Sequence, residues 1–252
     1  MSKLPKLPKY YGRASNGNWT YKGRPIAATS TCSIHGTYPA LYIAEDGRYV
    51  PIDGKRCPYC HAAELIEREL GQAMIPPRFL SKSFDSFVVS QPWQQAAKEA
   101  VMQYAENFEN NLKSGTSMIL LGGVGTGKTH LSVSLLRHII SEGHSGMFIS
   151  ASDLFMTIRE SWGDNTTRET IGKLTDLDLL VIDEVGVQRG TDNEREIMFS
   201  VLNSRYNHMR PTILLSNKTK TELKQYIGLR VYDRLKEGGG NVLILNGESQ
   251  RR

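Results

Sequence analysis

The chain has 252 residues, 39% of them hydrophobic and 23% charged, with a formal net charge of +5. That length suits one ample core, or one core with a small appendage, and the composition excludes a disordered chain. Its longest apolar runs, such as MILL and LLVI, fall far short of the ~20 residues that span a bilayer, and the leading MSKLPKLPKYYG has charge but no apolar stretch, which excludes a secretory signal. A cytoplasmic protein with no membrane partner is expected.

Residues 1–30 contain Lys3, Lys6, Lys9, Arg13, Lys22 and Arg24 and no acid, whereas residues 31–252 hold 25 Lys/Arg against 26 Asp/Glu. The whole charge excess therefore sits in a Pro/Gly/aromatic-rich leader, read as a basic, flexible arm able to track phosphates or an acidic protein surface.

All three cysteines lie between positions 32 and 60, in CSIH (Cys32 to His35) and CPYC (Cys57 to Cys60), two knuckles separated by 21 residues. This spacing resembles a zinc ribbon, in which each knuckle supplies two ligands and a short antiparallel ribbon joins them. ALYIA and RYVPI flank a turn-like EDG and are the expected ribbon strands. Cys32, His35, Cys57 and Cys60 complete a tetrahedral Cys3His zinc site, with His61 as an alternative fourth ligand. A closed four-ligand set leaves no position for water, so this metal is expected to be structural. HAAELIERELGQA (61–73) reads as a linker helix stopped by Pro76-Pro77. The zinc-ribbon-like module with its helix is placed at 31–75 and a larger core at 76–252.

In that core, strand-like and helix-like segments alternate. A helix over 93–112 puts Trp93, Ala97, Ala100, Val101, Tyr104, Phe108 and Leu112 on one face. SMILLGG, a helix from about Gly127, GMFISA, a helical stretch, LDLLVIDEVG, a helix over 193–209, PTILLSN, two short helices and NVLILNG follow. Such near-continuous apolar strands belong to a parallel sheet covered by helices on both faces, an α/β nucleotide-binding fold.

GGVGTGKTH (122–130) fits G-x-x-x-x-G-K-[ST]. Gly122, Gly123, Gly125 and Gly127 let the backbone approach phosphate oxygens, with Val124, Thr126 and His130 completing the loop, and the following helix N-terminus adds positive dipole. Lys128 is expected to reach the β- and γ-phosphates of ATP and the Thr129 hydroxyl to ligate Mg²⁺. LLVIDE leaves Asp183 at a strand end, where it can hold Mg²⁺, and Glu184 beside it to orient the attacking water. Asn217 ends the next strand and can contact that water or the γ-phosphate; a turn or helix-capping role is its plainer alternative. In GLRVYDRL, Arg230 and Arg234 share a helix face. They either pair with Asp233 or Glu237 or act as an arginine finger on a neighbour's nucleotide. Only 18 residues follow Arg234, leaving no room for a helical lid after the last strand, so a neighbouring subunit is expected to close the site.

The order GGVGTGKTHL, LLVIDEVGVQ, PTILLSN and GLRVYDRL, entered through IPPRFLSKSFDSF, resembles the AAA+ helicase-loader ATPases of the DnaC type, and among them phage and prophage replication proteins, over residues 75–247. The resemblance implies that Lys128, Thr129 and Asp183 hold Mg-ATP and that Glu184 and Asn217 serve hydrolysis. It also implies that Arg234, with Arg230 as second choice, acts across the interface of a homo-oligomer. The implied partners are single-stranded DNA and the replicative hexameric helicase. The front of the chain departs from the DnaC pattern, whose helical N-terminal region grips the helicase; here the zinc-ribbon module is expected to dock on it, with 61–77 as a lever. The competing readings are an IstB-type transposition helper that binds duplex DNA and a transposase, and a zinc-containing DNA-binding adaptor with little ATP turnover.

Overall fold

The computed structural model describes residues 18–34, 36–52, 57–163 and 165–247, and the backbone of 11–13. The chain divides between Glu69 and Leu70 into two compact units, the first also taking in Ser141–Gly143.

The first unit is an antiparallel meander of β1 (Tyr11–Arg13), β2 (Trp19–Tyr21), β3 (Arg24–Cys32), β4 (Gly36–Ile43) and β5 (Tyr49–Pro51), followed by all but the last turn of α1 (Pro58–Gln72). Of the arm expected over 1–30, residues 18–30 include β2 and most of β3, whereas 1–10 and 14–17 lie outside the described residues. Lys22 (φ 50°) and Gly23 (φ 75°) form a two-residue turn that pairs Tyr21 with Arg24; positive φ at both positions gives the turn the twist that its strands require. Trp19, Tyr21 and Ile26 then converge with Tyr42 and the buried Ile52. The basic composition of the leader hides this apolar alternation. The ribbon read from ALYIA and RYVPI forms, with Ile43 opposite Tyr49 and Gly47 (φ 79°) closing the turn between them. In α1, Pro58 occupies the first helical position, where a missing N–H costs nothing.

The second unit carries a five-stranded parallel sheet in the order β10-β6-β9-β8-β7, built from β6 (Met118–Gly122), β7 (Gly146–Ser150), β8 (Leu179–Asp183), β9 (Thr212–Ser216) and β10 (Asn241–Leu245). Met118 through Leu121, Leu179 through Ile182 and Ile213 through Leu215 are buried, which is why these strands read as unbroken apolar runs. Each such aliphatic side chain contributes about 1.5–3 kcal/mol on burial. The helices are α2 (Pro92–Glu106), α3 (Phe108–Ser114), α4 (Lys128–Ser141), α5 (Ala151–Gly163), α6 (Thr167–Asp176), α7 (Asp192–Asn207), α8 (Lys220–Ile227) and α9 (Leu229–Lys236). Among the described residues no helix follows β10.

The single helix expected over 93–112 is two. Asn107 (φ −93°, ψ 14°) breaks it, and the Asn111 side chain donates to the Tyr104 carbonyl (3.0 Å) near the end of α2. The apolar spacing survives, since Ala97, Val101, Tyr104 and Phe108 are all buried.

Sheet order decides where chemistry can occur. β6 neighbours β9 rather than β7, so the loops leaving β6, β9 and β8 meet at the carboxyl end of the sheet, around the point where the connections reverse direction.

Candidate nucleotide site and cysteine cluster

The loop after β6 and the start of α4 carry Gly122 through His130. Gly122 (φ 151°) and Gly127 (φ 96°) need glycine twice over: a Cβ at Gly122 would lie 2.4 Å from the Leu245 carbonyl oxygen, and one at Gly127 would lie 2.6 Å from the Phe87 ring. Thr126 is buried and its hydroxyl donates to the Gly123 carbonyl (3.0 Å), bracing the loop, while Val124 is exposed at its tip.

Four of the expected residues come together. The Lys128 ammonium donates to the carbonyls of Gly122 and Gly123 (2.7 Å each) and to Asn217 Oδ1 (2.8 Å). Thr129 Oγ1 donates to Asp183 Oδ2 (2.8 Å), bringing two oxygen ligands suited to Mg²⁺ from separate elements side by side. Asp183 Oδ1 accepts the Glu184 N–H (2.7 Å), and Glu184 is exposed with φ 59°, a left-handed conformation uncommon for a residue with a Cβ. Beside Asn217 an open groove of about 300 Å³ runs between Val185–Val187, Lys218 and Glu222.

Several supporting contacts escaped the sequence reading, although His130 itself was expected in the loop. Phe87 presses on Gly127 and meets the His130 ring edge-on at 5.2 Å, and His130 Nε2 also lies 2.9 Å from the Ser83 carbonyl and 3.1 Å from Ser86 Oγ. His130 thus braces the loop from behind, and burial lowers its pKa. Gln188 donates to Ser152 Oγ (3.1 Å) and accepts from the Tyr226 hydroxyl (3.3 Å), tying the loop after β8 to α5 and α8. At the other end of the sheet Arg205, fully buried, donates to the carbonyls of Leu174, Leu177 and Pro211 and to Thr212 Oγ1; burial pulls its pKa down to about 9. Only the two aromatics of FDSF, three apart and just ahead of a helix, carried any local signal of these contacts.

Arg234 does not belong to its own chain's nucleotide site, and neither expected ion pair forms. Its guanidinium donates to Asn203 Oδ1 on α7, and Glu237 instead accepts from the Tyr206 hydroxyl (2.6 Å). Arg230 is exposed, with no side-chain hydrogen bond or ion pair among the described residues.

In the first unit, the sulfurs of Cys32, Cys57 and Cys60 all lie within 4.8 Å of one another, with Cys32 and Cys60 at 3.7 Å. A tetrahedron with Zn–S bonds of about 2.3 Å has ligand–ligand edges of about 3.8 Å, so the sulfurs fit zinc. The Ile34 N–H points at Cys32 Sγ (3.4 Å). Burial, reinforced by hydrogen bonds with Cys32 and Cys57, pushes the Cys60 thiol up to about 11. His61 is not part of the cluster; its backbone N–H bonds to the Cys57 carbonyl (3.0 Å) as α1 begins. His35 lies outside the described residues.

A parallel sheet of this order, with the glycine loop after β6, an acid pair after β8 and an asparagine after β9, defines a P-loop nucleotide-binding domain of the AAA+ class. A family model described as IstB-like ATP binding protein matches residues 66–252, and the chain belongs to this IstB/DnaC-like family. The replicative helicase loader DnaC of Escherichia coli K12 is 31% identical over 191 residues, covering 75% of this chain and 77% of that one. The uncharacterized protein YdaV of the same strain is 28% identical over 223 residues, covering 86% and 88%, a span too long to lie in the second unit alone. A crystal structure of the DnaC helicase loader has the same fold, with a TM-score of 0.62 at 24% identity over 67% of this chain and 99% of that one. Among the described residues no helix is long and apolar enough to cross a membrane.

Proposed function

We propose that this protein is an ATP-hydrolysing loader that places the replicative hexameric helicase on single-stranded DNA, in phage or prophage replication. The observation that carries the reading is the meeting of Lys128, Thr129, Asp183 and Asn217 from three different loops at one end of the sheet; the kinship with the DnaC loader supports the partner.

Lys128, the loop amides, Thr129 and Asp183 would hold ATP and Mg²⁺. The metal, when bound, neutralises charge that develops on the phosphates. Around it, the chain's own groups have separate tasks. The α4 N-terminus presents backbone N–H groups to anionic oxygens. Glu184 is the general base that orients water, and Asn217 positions water or the terminal phosphate. An arginine of α9 stabilises the transferring phosphoryl group of a neighbouring subunit, so hydrolysis depends on a homo-oligomer. ATP thereby becomes a switch: it favours one assembly over another only because it is bound more tightly in that assembly.

In the same reading the chain is organised as a basic leader, a zinc-bearing module to about residue 75 and the ATPase core beyond it. Cys32, Cys57, Cys60 and His35 hold a structural zinc, and the module docks on the helicase, with α1 and the segment to Pro77 as lever.

The test is capture of the purified host helicase by this protein, with ATP and without nucleotide, beside Lys128→Ala. Capture that changes with nucleotide, and loses that dependence in Lys128→Ala, is the expected result. A protein that ignores helicase and instead binds duplex DNA with a transposase would fit the second reading, an IstB-type transposition helper, which the matched family description favours. An unchanged replication phenotype for Glu184→Gln would point to the adaptor that hardly turns ATP over.

A further inference from the structure

We propose that Gln188 is a positioning residue for ATP hydrolysis: by bridging α5 and α8 it locks the turn after β8 and so keeps Glu184 oriented. The inference rests on the ATP-hydrolysis reading above and names the group on which its general base depends.

Glu184 is exposed, and among the described residues its carboxylate has no hydrogen bond or ion pair. Its direction is therefore set by the backbone. That backbone is left-handed (φ 59°), a conformation that a residue with a Cβ keeps only where the chain on both sides is held. Upstream the hold is the sheet: Asp183 pairs with Ser150 of β7 and accepts the Glu184 N–H (2.7 Å). Downstream it is a turn. The Glu184 carbonyl accepts the Val187 N–H (3.2 Å), and Gly186 (φ 92°) stands third, where such a turn needs a positive φ. The Val185 N–H donates to the Leu215 carbonyl (3.0 Å) and the Ser216 hydroxyl to the Val185 carbonyl, which tie the start of the turn to β9.

The exit of the turn depends on one side chain. Val187 and Arg189 are exposed, and Gln188 between them reaches two other elements. Its Nε2 donates to Ser152 Oγ (3.1 Å) in the first turn of α5, and its Oε1 accepts from the Tyr226 hydroxyl (3.3 Å) near the end of α8. A bridge of this kind needs a donor and an acceptor on one planar group, which a side-chain amide supplies. Tyr226 is buried and grips the loop a second time, since a Cβ at Gly190 (φ 71°) would lie 3.1 Å from its ring. Burial pushes the Tyr226 pKa up to about 12, so its hydroxyl remains a donor at neutral pH.

These contacts close a ring. Asp183 meets Ser150 through the ladder, Ser152 meets Gln188 through the amide, and Gln188 returns to Glu184 through the turn. Glu184 is the strained member of that ring. The far end of the loop is fixed separately, by the capping box of Thr191 and Glu194 that starts α7.

The experiment measures kcat and KM for ATP, with melting curves, for the full chain as wild type, Gln188→Ala, Tyr226→Phe and Ser152→Ala, each also in a Glu184→Gln background. Gln188→Ala is expected to lower kcat by about ten- to a hundredfold, as a small misplacement of a reacting group does, with KM within about twofold of wild type. Tyr226→Phe keeps the ring on Gly190 and removes one bond, so its loss should be smaller. Added to Gln188→Ala it should cost nothing more, because both residues act through one bridge. The deciding readout is the Glu184→Gln background: there Gln188→Ala should leave the residual rate unchanged, since a residue that acts through Glu184 has nothing left to position. The proposal is overturned if folded Gln188→Ala runs at the wild-type rate, or if it slows the Glu184→Gln chain as much as the wild type, as a general packing defect would. Should Gln188→Ala fail to fold, Tyr226→Phe and Ser152→Ala in the two backgrounds make the same comparison. Failure of the underlying reading shows separately, as a Glu184→Gln chain that is as active as wild type whatever stands at position 188.

Discussion

The two units solve the problem of stability in opposite ways. The second buries a continuous core: 22 buried side chains from one face of its sheet and the elements packed on that face form one cluster, and catalytic-type residues sit only where its strands end. Among its described residues the first has two small clusters, Tyr21 with Ile52 and Tyr38 with Ala40 and Cys57, little apolar burial for five short strands. One of those clusters includes the cysteines. Where a core is ample, the nucleotide-site residues lie at its edge; where a core is scant, the cysteines lie within it.

The sharpest way to break that contrast is to remove each unit's anchor and ask whether the damage stays local. Cys57→Ser, or a strong chelator, should release bound zinc and unfold the first unit, while nucleotide binding by the second persists; one zinc per chain by metal analysis is the wild-type expectation. Loss of nucleotide binding together with zinc would show that the units are not separable. Lys128→Ala should abolish ATP binding in calorimetry and leave the zinc content untouched.

Next in size, Glu184→Gln should cut ATP turnover by about 10²–10³-fold while leaving ATP affinity within a fewfold of wild type, as expected of a base rather than a binding group. Retained turnover would remove Glu184 from the mechanism.

Arg205→Ala probes the larger core. It strands the Leu174, Leu177 and Pro211 carbonyls in a buried site and should cost about 3–5 kcal/mol in denaturant unfolding. A cost below about 1 kcal/mol would mean that water replaces the guanidinium.

The smallest effect concerns pH. Burial lowers the His130 pKa in the folded chain, so below its ordinary value of about 6.5 the unfolded chain takes up the proton first. His130 is therefore expected to cost nothing well above pH 6.5 and to erode stability as pH falls through that value. His130→Gln should flatten this part of the stability–pH curve, and an unchanged slope would assign it to other groups.

Much of this architecture was legible because the signals are local. The GGVGTGKTH loop, the apolar run ending in Asp183 and the PTILLSN strand each declare themselves within ten residues, since a buried parallel strand must be apolar throughout and its polar residue can emerge only at its end. The cysteine spacing was equally readable, and it brought Cys32, Cys57 and Cys60 into one cluster. The strands inside the basic leader were missed because Lys22 in the turn and Arg24 at the start of β3 dominate so short a stretch and hide the apolar alternation of Trp19, Tyr21 and Ile26. The break at Asn107 was missed because α2 and α3 together keep an uninterrupted apolar face.

Sequence alone determined which residue types stand at the strand ends and in the knuckles, because backbone geometry ties local spacing to local position. Only the tertiary structure decided what meets what. It left His61 outside the three-sulfur cluster, put Phe87 and His130 behind the phosphate loop, and brought Arg205 to carbonyls of the Leu174–Leu177 segment as well as to Pro211 and Thr212. It also set Arg234 against Phe199, Asn203 and Tyr206, leaving Arg230 exposed. These choices depend on strand order and on the rotation of helices within a packed core, and both are fixed by contacts between residues far apart in the chain.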